Sequence, residues 1–290
     1  MGALGITPLD EQIEKRDECD PAWKVEIRDL ARGFAGALFV SLPLLYTMEM
    51  WQHGRELSGW TVIGFLVAGY FVNVGFCAYA GFRQTQWTSG YFWDAMTALG
   101  IGAVASVLTL TVAGIIDFSL SPEIMWKIVA LESVPCGIGA AVARNQLGGG
   151  DSSRSDDSSP FSSDMSVFMG SLLGGVLFAY NIAPTMETVV ITTKQDWWLA
   201  LATVILSLAV TFVIVEIAKF VERDYTNRTI FTTPFIETVF SYAVALVVSF
   251  AFLFGFDYIS WGDDPAIWVP RVVTAAYATA LGGAAGRLVL

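Results

Sequence analysis

Glu132 stands in the middle of an apolar run, Val129-Ala-Leu-Glu-Ser-Val-Pro135. A carboxyl at that depth in hydrocarbon has to be protonated, paired or wet, and each state suits a group that handles a small cation. Pro135 follows three residues later. It supplies no amide donor, so backbone carbonyls freed nearby can line a polar cavity. Two further acids occupy matching places. Thr47-Met48-Glu49 recurs 138 residues later as Thr185-Met186-Glu187. Both acids follow a proline, Pro43 and Pro184, near what reads as the outer ends of spans one and five. A helix C-terminus opposes a negative charge through its dipole. Repetition there points to a pair of acids at the mouth of a cation path. The plainer alternative is two boundary residues reaching headgroup water.

Other polar groups complete the set. The position matching Glu132 in the second half is Ala275, and Arg271 stands one turn before it. An ion pair between Glu132 and Arg271 is therefore one expectation, and a transport role for Glu132 is the other. Asp94 and Glu237 recur at the cytoplasmic starts of spans three and seven, where helix dipoles favour acids anyway. Asn73 and Asn181 lie within spans and need hydrogen bonds; Asn73 is expected to bond a neighbouring helix. Glu216 reads as paired at i, i+3 with Lys219. The single histidine, His53, and three cysteines without paired spacing give no haem, metal or disulfide framework. No cofactor is expected, and no nucleophile motif of a hydrolase is present, so an enzyme is not expected.

The elements that position these residues are membrane helices. Of 290 residues, 54% are hydrophobic and only 15% charged, against about 25% charged in soluble domains. Apolar runs of about 20 residues suffice to cross a bilayer as helix. Eight spans are expected, over roughly 33–52, 59–82, 92–116, 122–145, 166–188, 196–219, 233–256 and 264–288. The first apolar run follows some thirty polar residues, which is not the layout of a signal peptide. Twelve of the sixteen Lys and Arg residues fall on one side of this topology, which places both termini in the cytoplasm. Tryptophans 51, 60, 93, 126, 197, 198 and 268 sit near helix ends and read as an aromatic belt. The net charge of −11 leaves no basic face for nucleic acid.

The spans read as a duplication. An offset of 138 carries Gly36 onto Gly174 and Trp60 onto Trp198; an offset of 143 carries Asp94 onto Glu237 and Gly139 onto Gly282. The fold class is thus an all-α polytopic membrane protein with eight transmembrane helices, a tandem parallel repeat of two four-helix units. Residues 1–31 form a cytoplasmic segment in which Trp23, Ile27 and Leu30 suggest a short interfacial amphipathic helix. Residues 32–145 are the first repeat, 146–164 a flexible Gly/Ser/Asp linker and 165–290 the second repeat. Glycines and alanines at i, i+4, such as Gly170 and Gly174 or Gly282 and Gly286, read as close helix crossings.

From Arg32-Gly-Phe-Ala-Gly36 through Ser41-Leu-Pro-Leu-Leu-Tyr-Thr-Met-Glu-Met50, the chain resembles an uncharacterised prokaryotic family of integral membrane proteins. That resemblance implies a prokaryotic plasma membrane and names no activity. The first helix also resembles that of the endolysosomal potassium-channel family, whose Phe-Ser-Asp triplet is followed by a leucine-rich run and a Glu. Here Phe34-Ala35-Gly36 precedes Glu49 by the same spacing, and Leu172-Leu173-Gly174 precedes Glu187 likewise. The Ser and Asp are missing in both copies, and that family has six spans per repeat. The resemblance implies that spans one and five line a cation pore with Leu42 and Leu45 near its constriction.

The resulting expectation is a channel or permease for a small cation, potassium or proton, with Glu49, Glu187, Glu132, Thr47 and Thr185 along the path. One alternative is a secondary transporter of a small solute driven by protons on Glu132. The other is a non-transporting scaffold or lipid-interacting protein. The expected partners are the lipid bilayer, a small cation and, for a shared pore, a second copy of the chain.

Overall fold

The computed structural model describes residues 22–80, 89–117, 119–147, 163–220 and 229–289. Within these, every regular element is an α-helix. They are α1 (Ala22–Leu45), α2 (Met48–Glu56), α3 (Gly59–Ala80), α4 (Ser89–Val112), α5 (Pro122–Leu147), α6 (Ser163–Ile182), α7 (Glu187–Thr192), α8 (Trp197–Phe220), α9 (Pro234–Gly255) and α10 (Pro265–Val289). Six of them are long and apolar enough to cross a membrane, and α1 joined to α2 across an 80° bend makes a seventh. The expected eight spans thus reduce to six or seven on length and composition. The eighth long helix, α10, carries Arg271 and a tail of Gly and Ala in place of large apolar side chains.

Apolarity tracks lipid exposure. Helix α8 is the most apolar of the six and the least buried, whereas α5 is the least apolar and 78% of its core window is buried. A helix surrounded by protein does not need a lipid-soluble surface on every side. That arrangement leaves α5 free to carry Glu132.

Helix starts are set by side-chain caps. Ser58 accepts from the Thr61 amide at 3.1 Å, Ser121 from Ile124 at 3.3 Å, Asp196 from Leu199 at 2.9 Å and Thr233 from Ile236 at 3.3 Å. Each satisfies an amide that the first turn leaves without a partner. Asp164, in the first turn of α6, reaches across to another segment. It accepts from the amides of Thr229, Ile230 and Phe231 and from the Thr229 hydroxyl at 2.6 Å. Asp164→Ala is expected to release that segment: amide exchange at Thr229, Ile230 and Phe231 should quicken by tenfold or more, about the loss of one strong hydrogen bond. Unchanged exchange would mean the loop is held by other contacts.

Small residues set the closest crossings. Helix α5 packs against α1, α3 and α4, and α10 packs against α6, α8 and α9. A Cβ at Gly36 on α1 would lie 2.7 Å from the Gly139 carbonyl on α5. One at Gly102 on α4 would lie 2.6 Å from the Ser133 carbonyl, and one at Gly174 on α6 would lie 2.9 Å from the Gly286 Cα on α10. The small-residue spacing read from the sequence therefore does mark backbone contacts.

The two halves meet where α3 and α5 pack on α6. An aromatic seam closes this junction. Phe65 stacks on Phe256 at 4.6 Å, and Tyr180 meets Phe252 edge-on at 5.3 Å. Trp60, Trp93, Trp197 and Trp198 are exposed at helix ends, as a belt requires, but Trp51 and Trp268 pack against the core. The short interfacial helix expected over the lead-in is continuous with α1: one helix runs from Ala22 to Leu45. Of the expected linker, residues 146–147 belong to α5 and 163–164 to α6. The rest of the linker and residues 1–21 lie outside the described residues.

Candidate functional site

Helix α5 continues through Pro135. A proline has no amide hydrogen, so the carbonyl four residues earlier, that of Leu131, loses its helical donor. The Tyr180 hydroxyl from α6 donates to that carbonyl at 2.9 Å. Tyr180 and Leu131 are both fully buried. The bond joins the first half of the chain to the second, next to Glu132.

Glu132 itself is 0% exposed. Neither carboxyl oxygen has a hydrogen-bond partner among the described residues. The expected ion pair with Arg271 is not formed. Arg271 instead donates from Nη1 to the Tyr258 carbonyl at 2.6 Å, tying down the turn between α9 and α10. The one-turn offset in sequence did not bring the two side chains together, because the guanidinium reaches along its own helix end. Lys127, five residues before Glu132, points away too: its Nζ donates to the Leu57 carbonyl at 3.2 Å and pairs with Glu123.

One turn beyond Glu132, Cys136 gathers two hydroxyls. Its Sγ lies 2.8 Å from Ser41 Oγ on α1 and accepts from Ser106 on α4 at 3.3 Å. Asn73 on α3 is fully buried; its amide donates to the Gly69 carbonyl of its own helix at 3.0 Å, not to a neighbouring helix as expected. Its Oδ1 has no partner among the described residues. Asn181 behaves alike, donating to Leu177 at 2.8 Å. Polar groups from α1, α3 and α4 thus converge on α5. The second half places Ser249 and Thr279 in contact at 2.9 Å; these are the residues 143 positions after Ser106 and Cys136.

The two repeated acids sit differently from expectation. Helix α1 ends at Leu45 and a new helix begins at Met48, so Glu49 lies in the first turn of α2. Glu187 is the first residue of α7. Both are therefore at helix starts, where the dipole favours an acid. Helix electrostatics therefore do not oppose them. Thr47 and Thr185 turn their hydroxyls back onto the Pro43 and Ile182 carbonyls, at 2.6 and 2.7 Å, so they cap the ends of α1 and α6. Leu45 is buried in the core and Leu42 is 47% exposed.

Glu49 and Glu187 nevertheless act on one group. Burial pushes the Tyr258 phenol up to about 12, and the charges of Glu49, Glu187 and Glu56 push the same way. The phenol stays protonated and donates to the Pro184 carbonyl at 2.9 Å. His53 Nε2 lies 3.0 Å from the same carbonyl, which makes it a second donor there. This junction at the Pro122 end of the bundle was not read from the sequence. Its signal was the isolated histidine beside the repeated acids. Tyr180 was also missed, although Pro135 already implied a carbonyl in need of a donor.

Asp94 and Glu237, read as ordinary helix-start acids, are 8% and 0% exposed. Glu237 does occupy the first turn of α9, whereas Asp94 stands one turn further into α4. Among the described residues no group of three or more His, Cys, Asp or Glu could hold a metal ion. A groove of 410 Å³ between α9 and α10 is lined by Leu246, Val247, Phe250, Trp268, Val269, Val272 and Val273, whose only side-chain polar group is the Trp268 indole N–H.

A model of the family described as "Putative integral membrane protein (DUF2391)" matches residues 29–290. The chain belongs to that family. For this DUF2391 protein the apolar helices and the family agree: it is an integral membrane protein whose helices contact lipid. No curated protein and no solved structure matches it.

Proposed function

We propose that this DUF2391 protein is a permease for a small cation, that the cation is the proton, and that Glu132 carries it. The observation that supports this is a carboxyl sealed inside the most buried membrane helix with no counter-charge among the described residues. A structural carboxyl at such a place is usually paired, because an unpaired buried charge costs several kcal/mol. An acid retained without a partner is suited to taking up and releasing a proton. Ser41, Ser106 and Cys136 supply hydrogen-bonding groups one turn away. Glu49, Glu187 and Glu56 set a negative potential at the Pro122 end, which raises the local proton concentration.

The architecture of this reading is a parallel duplication. Gly36 against Gly139 and Gly174 against Gly282 are matched crossings, and Ser106–Cys136 matches Ser249–Thr279. The position that matches Glu132 in the second unit is Ala275, so on this reading one chain holds one such proton site. Both termini face the cytoplasm of a prokaryotic plasma membrane.

The test is proton flux into liposomes that contain the purified protein and a trapped pH-sensitive dye. Wild type should collapse an imposed pH gradient faster than protein-free vesicles. Equal rates would sink the proposal. Glu49→Gln combined with Glu187→Gln should lower flux about threefold at low salt and remove most of its salt dependence, because those charges act through a screened potential. A salt dependence identical to wild type would take these two acids out of the account.

A further inference from the structure

We infer that Tyr180 is a positioning residue for Glu132: its hydroxyl moves between the Leu131 carbonyl and the Glu132 carboxylate as Glu132 loses and regains its proton. This rests on the reading of Glu132 as the proton carrier. In the structure the hydroxyl donates to Leu131 at 2.9 Å. Glu132 is the next residue, its oxygens have no partner among the described residues, and its carboxyl lies within electrostatic reach of Tyr180. A hydroxyl has one hydrogen, so it serves one of these acceptors at a time. A carboxylate is the stronger acceptor, and a neutral carboxyl competes poorly with a backbone carbonyl that has lost its helical donor.

The ring does not need to move. It is held edge-on against Phe252 at 5.3 Å, Phe256 at 5.9 Å and Phe65 at 6.3 Å. Rotation of the C–O bond and of the Glu132 side chain makes the exchange. The proton that leaves Glu132 goes to water, and Tyr180 keeps its own. Because Tyr180 belongs to α6 and Leu131 to α5, the exchange changes a bond between the two halves whenever the proton moves.

Apart from Cys136, the titratable groups named on the packed elements are placed elsewhere. On α5, Cys136 is within reach of the same pair, and Lys127 is committed to Leu57 and Glu123. On α2, His53 is committed to Pro184 and Tyr258. On α3, Tyr70 donates to the Phe92 carbonyl, and Cys77 is buried four residues beyond Asn73. On α4, Asp94 lies near the Ser89 end.

Infrared pH titration of the Glu132 carboxyl band, assigned by its loss in Glu132→Gln, tests this in lipid without any transport assay. Tyr180→Phe keeps the ring and removes the donor to the carboxylate. Its titration midpoint should rise by about one unit, a tenfold gain in proton affinity. Pro135→Ala returns an amide to serve Leu131, which releases Tyr180 to the carboxylate, so its midpoint should fall. Opposite shifts in the two variants are not expected from a merely structural tyrosine. An unchanged midpoint in Tyr180→Phe, shifts of the same sign in both, or a band that does not titrate between about pH 4 and pH 10 would overturn the assignment. If Tyr180→Phe does not fold, the direction of the Pro135→Ala shift decides. Flux without these shifts would remove Tyr180 and leave the permease reading; shifts without flux would do the reverse.

Discussion

Glu132→Gln is expected to abolish proton movement and leave the protein about as stable as wild type. Gln has the same shape and does not exchange a proton. The acid has no partner to lose among the described residues, so the usual penalty for breaking a buried pair, about 3–5 kcal/mol, does not apply. The change in stability should stay within about 1 kcal/mol. Glu132→Leu goes further. It replaces a sealed polar group by an apolar one of similar volume and should stabilise by about 1–3 kcal/mol, while remaining inactive. Gaining stability and losing activity together is the pattern of a residue retained for function at a cost to the fold. Thermal unfolding of the three proteins in one detergent reads this directly. A large loss of stability in both variants would show that Glu132 is a structural group with a partner.

Gly174→Val should be the most damaging substitution in the bundle. A Cβ at Gly174 would meet the Gly282 carbonyl and, at 2.9 Å, the Gly286 Cα. Both obstacles are backbone, so no side chain can rotate out of the way. The only response is to separate α6 from α10, which breaks a crossing that also brings the Ser171 carbonyl to within 2.8 Å of a Cβ at Gly283. Overpacking in a close-packed interior costs about 1–3 kcal/mol when side chains can adjust. Here the cost should exceed about 3 kcal/mol, enough to stop accumulation of folded protein. Gly64→Val is the control: a Cβ there meets nothing within 4 Å, and Gly64 faces outward on α3. Equal yields of the two variants, with equal unfolding temperatures, would contradict the close crossing.

The sequence made the helical class legible because long apolar runs with few charges have one stable form in lipid. It also singled out Glu132, since depth in a run needs no knowledge of packing. Rotation and breaks were not legible. Arg271 lies one turn from the matching position, but nothing in a linear comparison says that its guanidinium reaches the Tyr258 carbonyl instead. Pro43 stays inside α1, so the break after Leu45 had no strong signal, and Glu49 was assigned to the wrong end of a helix. Tyr180 was legible only in combination with Pro135, as the donor for a carbonyl that the proline leaves open. The small residues were read correctly because close approach leaves few alternatives to Gly.

Whether Glu132 carries the proton is read from proton flux in liposomes at one imposed gradient, with wild type and Glu132→Gln present in equal amounts. Wild type should exceed protein-free vesicles, and Glu132→Gln should match them. Flux in Glu132→Gln equal to wild type would contradict the account.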